Sequence, residues 1–449
     1  MLLFSSAYFT FLIAIFFLYW PLQRVRAAGL AILLLANYFF YAKWGLIYLA
    51  AIPLASTCDY LIALGMGHSK TAALRRLLLA ASITVNLGLL IASRKMGFAL
   101  GLSFYAFQAL SYTIDVYRRD AKPANSLLLY LSAVSFFPAT LAGPITRPAQ
   151  LMPQLEKKEK TLAAGDGGRA LFLIGLGLMK KMLIADYLAD NLVNRVFDTP
   201  QLYSGLETLV AVYGYAVQLY YDFSGYTDIA IGSALLLGLK LPANFNRPYS
   251  AENIADFWRR WHISLSNWLR DYLYFSLPGL RSKWKGFTYL NLVITMFLGG
   301  LWHGLSYNFA IWGLLHGCGL AAQRAWQVAR GNQKPSGNQW ARILRIIATA
   351  NFVCFAWIFF RAPNLSGAGA ILERIESLSM STVNITAPFM MVLLIGILCH
   401  YAPKKLYTFS MDLYVKSPAV VQAAAMALLV LAIEFTSSTG AAPFIYTKF

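Results

Sequence analysis

Acidic residues are scarce in this chain: 19 Asp and Glu in 449 residues, against 38 Lys and Arg, with charged residues only 13% of the total. So little charge, beside 58% hydrophobic residues, excludes an ordinary soluble globule and leaves a polytopic membrane protein. The formal charge of +19 would point to nucleic acid in a soluble chain. Here the basic residues sit in short loops between apolar runs, so membrane lipids with anionic headgroups and an inside-positive topology explain them, and no nucleic-acid partner is expected. Cysteine is also sparse. Cys58, Cys318, Cys354 and Cys399 show no CxxC or CxxxC spacing and lie in or beside apolar runs, which predicts core thiols and neither a disulfide nor a metal framework. There is no HExxH, GxSxG or GxxxxGK[ST], so neither a metal-ligand cluster nor a nucleotide cradle is read, and no permanently bound cofactor is expected. No repeat of fixed period is evident, which weighs against an inverted-repeat transporter.

What is present is a series of apolar runs, at 3–21, 27–42, 45–66, 77–92, 97–117, 126–143, 168–187, 206–221, 225–240, 287–301, 305–322, 341–360, 384–402 and 418–436. Some are short or interrupted by glycine, so the expectation is all-α: about 11–13 transmembrane helices, with re-entrant and amphipathic helices besides. The whole of 1–449 reads as a single membrane domain. The first run lacks a basic n-region and a small-residue cleavage site, and is followed by Arg24 and Arg26, so it reads as a first span with its N-terminus outside. Lys70, Arg75 and Arg76 fit the next cytoplasmic loop. The stretches 144–168 and 330–339 are polar connectors too short to bury a core.

Residues 289–320 hold no Lys, Arg, Asp or Glu, yet His303 lies among them, bracketed by Gly299, Gly300, Trp302 and Gly304. A titratable side chain at bilayer depth is costly and marks function, and imidazole suits proton transfer near neutral pH. His316 shares the run; on one straight helix, 13 residues would set it about 20 Å from His303 on another face, as a packing or hydrogen-bonding residue. His262 lies 41 residues before His303, room for a helix, a loop and a returning helix, so the two imidazoles can share a cavity. His68 reads as a solvated loop residue and His400 as interfacial. Asp222 and Asp228 stand between apolar runs, to pair with arginines, cap a helix or line a polar tunnel. Within residues 241–280 the pattern reads as a basic amphipathic helix in the membrane interface, starting from Ser250 as N-cap and stopping at Pro278-Gly279, with Trp258, Trp261, Leu265 and Trp268 on one face and Asp256 four residues before Arg260.

Several segments taken together resemble the membrane-bound O-acyltransferase superfamily, in its bacterial alginate O-acetylation-like branch and more distantly the teichoic-acid D-alanylation proteins. They are LGLSFYAFQALSYTIDVYRRD (100–120), FFPATLAGPITRP (136–148), YYDFSGYTDIAIGSALLLGLKLPANFNRPY (220–249), FWRRWHISLSNWLRDYLYFSL (257–277), GGLWHG (299–304), WGLLHG (312–317), AWIFFRAPNLSGA (356–368) and the final PFIYTKF. The concatenation of DFSGY, RRWHISLS and LWHG carries the specificity. Pro278-Gly279-Leu280 departs from the Gly-Gly-Asn common in close relatives.

The resemblance implies a funnel through the membrane and makes His303 the residue essential for acyl transfer, with His262 second. Trp302, Asp222, Ser224, Tyr226, Asn244, Asn246, Arg260, Ser264, Asn267 and His316 are then candidates to line or support the tunnel, and Ser264, Asn267 and the Trp302 indole are candidate oxyanion donors. The expected reaction moves an acyl group, most naturally acetyl, from a cytoplasmic thioester such as acetyl-CoA for O-acetylation of an extracytoplasmic polysaccharide. It also implies a location in the bacterial cytoplasmic (inner) membrane, and an extracytoplasmic acetyltransferase- or esterase-like partner within a polysaccharide biosynthesis complex. The rival readings are a non-catalytic transporter or flippase and an assembly subunit of an exopolysaccharide machine.

Overall fold

A computed structural model of the chain describes residues 2–95, 101–157, 161–279, 286–331 and 337–436. Leu280 of the departing tripeptide, the middle of both polar connectors and the final PFIYTKF lie outside the described residues. Among those described there are helices and turns and no strand, as the apolar runs require: in lipid, a helix satisfies its backbone hydrogen bonds within itself. The chain divides into two compact units, residues 1–177 with 226–243 and 414–418, and residues 178–225 with 244–413 and 419–449.

The first unit opens with helices Ser6–Leu22, Arg26–Ala42, Tyr48–His68 and Ala72–Lys95. Its aromatic core packs Tyr8, Phe11, Phe40 and Phe137 together, with ring centroids 5.1 to 6.5 Å apart. The apolar run 126–143 is not one span. It forms Leu127–Val134 and Phe137–Thr140 with a break between them. Buried Asn37 repairs that break: its Nδ2 donates to Ser132 O and Ser135 Oγ, and its Oδ1 accepts from Phe137 N at 3.0 Å. Arg75 is no loop charge either. It lies buried in a helix and its guanidinium donates to the carbonyls of Met66, Val116 and Tyr117.

The runs 206–221 and 225–240, read as two spans, are one 32-residue helix, Gly205–Leu236. Apolar runs and helices therefore do not correspond one to one. Among the described residues, Tyr48–His68, Ala72–Lys95 and Gln339–Arg361 are long and apolar enough to cross a bilayer alone, and Ala387–Tyr401 with Lys404–Lys416 makes a pair bent by 94°. Ser6–Leu22, Arg26–Ala42 and Ala419–Phe435 are shorter apolar helices.

In the second unit, helices Gly286–His303 and Tyr307–Ala329 form a tight hairpin. Gly313 and Gly317 make the close approach possible: a Cβ on Gly313 would lie 2.5 Å from Met296 O, and one on Gly317 2.8 Å from Val293 Cα. Small residues at such contacts let helix backbones meet where no hydrophobic force drives them together. All four cysteines are free, but only Cys354 is buried and Cys58 half-buried; Cys318 and Cys399 are exposed, so the expected core thiols are only partly so. Helical periodicity was not enough to place them, because every helix face looks apolar in a membrane protein.

Candidate active site

The segment expected to be one amphipathic helix is broken, and His262 stands at the break. Asn253, not Ser250, caps the first piece, Ile254–Trp258, by accepting from Asp256 N at 2.8 Å. Ser250 belongs to a short 3₁₀ turn, Pro248–Ser250. The second piece, Ile263–Trp268, starts after His262, whose backbone is left-handed at φ 42 and ψ 55. A non-glycine residue in that region is strained and persists only where its surroundings hold it.

Asn244 holds it. The chain at 244–246 runs beside 260–263, with Ile263 N donating to Asn244 O and Asn246 N donating to Arg260 O, each at 2.9 Å. The Asn244 side chain then closes around the histidine. Its Oδ1 accepts from Ser264 N at 3.2 Å, from Ser264 Oγ at 2.9 Å, and from His262 Nδ1 at 3.1 Å. A backbone N–H is only ever a donor, so the Asn244 atom facing it is the oxygen. His262 Nδ1 must then carry its proton toward that oxygen, which makes Nε2 the basic nitrogen of the neutral ring. Phe223 packs edge-on to the same ring at 4.7 Å. His262 is 1% exposed.

His303 ends its helix and is buried. Its ring contacts Trp302 at 4.7 Å, Phe360 at 5.0 Å and Trp312 at 5.3 Å, the last perpendicular. His303 and His262 stand near enough for the charge of one to act on the other. The helix turns back after His303, so the straight-helix separation from His316 does not apply. Both histidines contact one indole, His316 lying 4.9 Å from the Trp312 ring. His316 is fully buried against Trp258 and Phe257, and neither ring nitrogen has a hydrogen-bond partner among the described residues, so it packs without hydrogen bonding.

The tryptophans assigned to an interface face are buried in protein instead. Trp261 stacks on Phe257 and meets Trp357 at 5.1 Å, while Trp258 meets Trp312 at 5.8 Å. Periodicity marks an apolar face but not what covers it. The Asp256–Arg260 pair forms as the spacing predicts, at 2.9 Å. Asp222 is paired, but with a lysine and not with the expected arginine. It lies 2.9 Å from Lys181 Nζ, which also donates to Asp186 at 2.6 Å, all three buried. Lys181 was missed, although a lysine inside the apolar run 168–187 was the signal for it.

Ser224 is buried two residues beyond Asp222, Asn267 and Trp302 are half-buried, and Asn246 is exposed. Tyr226 belongs to the first unit and is fully buried there, and Asp228 is half-buried in it. Ser264 commits both its N–H and its hydroxyl to Asn244. His68 is exposed as expected. His400 is not interfacial but buried, its Nε2 accepting from Tyr249 N at 3.2 Å.

The fold and this buried polar cluster define a multi-pass helical membrane protein with an imidazole pair built into its interior. The profile of MBOAT, the membrane-bound O-acyltransferase family, matches residues 43–365, and the chain belongs to that family. It is 35% identical to the peptidoglycan O-acetyltransferase of Helicobacter pylori, over 77% of this chain and 73% of the relative. It is 37% identical to the probable alginate O-acetylase of Pseudomonas fluorescens, over 85% and 78%. It is 31% identical to the teichoic acid D-alanyltransferase of Bacillus subtilis, over 58% and 68%. The protein is therefore an enzyme, a membrane O-acyltransferase, which sets the non-catalytic readings aside.

Proposed function

We propose that this enzyme carries an acetyl group from a cytoplasmic thioester, with acetyl-CoA as the natural donor, for O-acetylation of an extracytoplasmic polysaccharide. His303 is the general base. It takes the proton of the attacking hydroxyl, the hydroxyl oxygen bonds to the thioester carbonyl carbon, and the carbon–sulfur bond breaks. The thiolate leaves and is reprotonated from the imidazolium, so no serine or cysteine nucleophile is required. His262 presents Nε2 to orient the acceptor or relay the proton, and Asn244 positions it through Nδ1. Asp222 supports the site through its bond to Lys181. Asn267 and the Trp302 indole N–H are the remaining oxyanion donors, because the Ser264 hydroxyl is already committed.

The observation that carries this reading is His262, held in a strained backbone with its basic nitrogen fixed by Asn244, in the same compact unit as the buried His303. The bacterial relatives are named for acetylation of peptidoglycan and alginate and for D-alanylation of teichoic acid, which supports a role in polysaccharide modification; a place in the bacterial cytoplasmic membrane and a separate extracytoplasmic partner for the final ester complete the proposal. The test is His303→Ala in the full chain, with membrane abundance checked and polymer O-acetyl groups counted by mass spectrometry. The expected outcome is a loss of about 10²–10⁴-fold, the range of a positioned base. Wild-type acetylation in a variant of normal abundance overturns the assignment.

A further inference from the structure

The paired segment that presents His262 also builds a cationic hollow. Arg247, Ser250, Arg260, Gln339, Arg342 and Tyr401 line a cavity of about 300 Å³. Arg247 follows Asn246 directly, and Arg260 stands two residues before His262, so about 7 Å of chain separates the cavity wall from the histidine.

The charges around this cavity do not balance. Arg247, Arg260, Arg342 and Arg345 face two carboxylates: Asp256, bonded to Arg260 at 2.9 Å, and Glu252, bonded to Arg342 at 2.9 Å and to Arg345 at 2.8 Å. The Arg345 and Arg342 guanidinium groups hold the Glu252 carboxyl below its ordinary range, so it is ionised and already engaged. Two positive charges remain in excess. Arg342 meets its acid through Nε, which leaves its terminal fork uncommitted. Arg247 has no acidic partner among the described residues. Its Nη1 donates to Ala402 O at 3.2 Å, and its Nε is buried without an acceptor. Its backbone is left-handed, at φ 48 and ψ 65, a conformation that glycine adopts at lower cost. A buried guanidinium N–H lacking an acceptor is rare, and a planar fork matches the oxygens of a phosphate bidentately.

We propose that this arginine cavity binds a phosphate ester or diphosphate, and that Arg247 and Arg342 are its principal donors. Two sources supply that chemistry, the phosphates of the thioester's carrier and the headgroup of a phospholipid. The donor source rests on the thioester reading above; the phosphate site itself does not.

The test uses the full chain purified in phosphate-free detergent, titrated with inorganic diphosphate in a calorimeter at low salt. The wild type is expected to bind saturably, and Arg247→Gln and Arg342→Gln to bind at least tenfold more weakly. The Arg342 side chain is 60% exposed, so its variant folds even if the Arg247 variant does not. Absence of saturable binding, or equal binding by wild type and Arg342→Gln, overturns the proposal. Competition by coenzyme A supports the carrier as source, and then Arg342→Gln raises the donor KM far more than it lowers kcat. Competition by phosphatidylglycerol in nanodiscs, but not by coenzyme A, supports a lipid headgroup. The His303→Ala variant separates the two readings. Diphosphate binding that persists while this variant still transfers acyl groups sinks only the histidine mechanism. Transfer that depends on His303 with no diphosphate binding sinks only the cavity.

Discussion

At the scale of single residues, Asn244 is the most informative position in the molecule. One amide oxygen receives three donors, and those bonds hold His262 in a left-handed backbone and choose its tautomer. Asn244→Ala is expected to cut acyl transfer about a hundredfold, the scale of a small misplacement of a reacting group. Asn244→Asp keeps the acceptor and should recover most of the rate. An alanine variant as active as wild type, or an aspartate variant no better than alanine, removes Asn244 from the mechanism. A histidine base also sets a sign for pH. The neutral ring is the active form, so transfer should fall on acidification as the base takes up a proton. Initial rates that stay flat between about pH 5 and 8 would exclude a titrating histidine. The importance of His303 and His262 is legible in the residues themselves, an imidazole in an uncharged run and a second at returning distance. The role of Asn244 is not, because its partner lies 18 residues away and the pairing of two irregular segments has no sequence period.

Among the elements, the hairpin of Gly286–His303 and Tyr307–Ala329 places His303. Its backbones touch at glycines, so Gly313→Ala should force the helices apart, at the cost of about 1–3 kcal/mol seen for overpacked cores. The measurement is the thermal midpoint in detergent beside acyl-transfer rate. An unchanged midpoint and rate would show that the contact is dispensable. The glycines around His303 are conspicuous in the sequence, and they predict close backbone approach. What they do not predict is the return of the chain after His303, which brings His303 and His316 into contact with the same indole, Trp312. The broken segment at 254–268 makes the same point. Tryptophans at helical spacing resemble an interface anchor until packing shows Trp261 and Trp258 covered by Trp357 and Trp312.

Across the whole molecule charge is rare; some buried charges are held by neutral partners, as Arg75 is by carbonyls, and one buried group of three is mutually paired. Lys181 sits between Asp186 and Asp222, and removing one member of a buried pair costs about 3–5 kcal/mol because the other charge is left without compensation. Lys181→Met is therefore expected to lower membrane abundance sharply. Neutralising all three, as Lys181→Met with Asp186→Asn and Asp222→Asn, should restore abundance. Equal, normal abundance of the single and triple variants would show that the ion group carries no stability.

The sequence by itself determined the all-helical membrane class, because few charges and repeated apolar runs leave the backbone no other way to satisfy itself in lipid. It also determined the family and the two histidines, through motifs whose combination is specific. The tertiary structure decided where helices break, which runs fuse into Gly205–Leu236, and which polar atoms meet. Those outcomes depend on hydrogen bonds and ion pairs between residues far apart in the chain, such as Asn37 with Phe137, Asn244 with His262 and Lys181 with Asp222, and hydropathy contains no record of such partners.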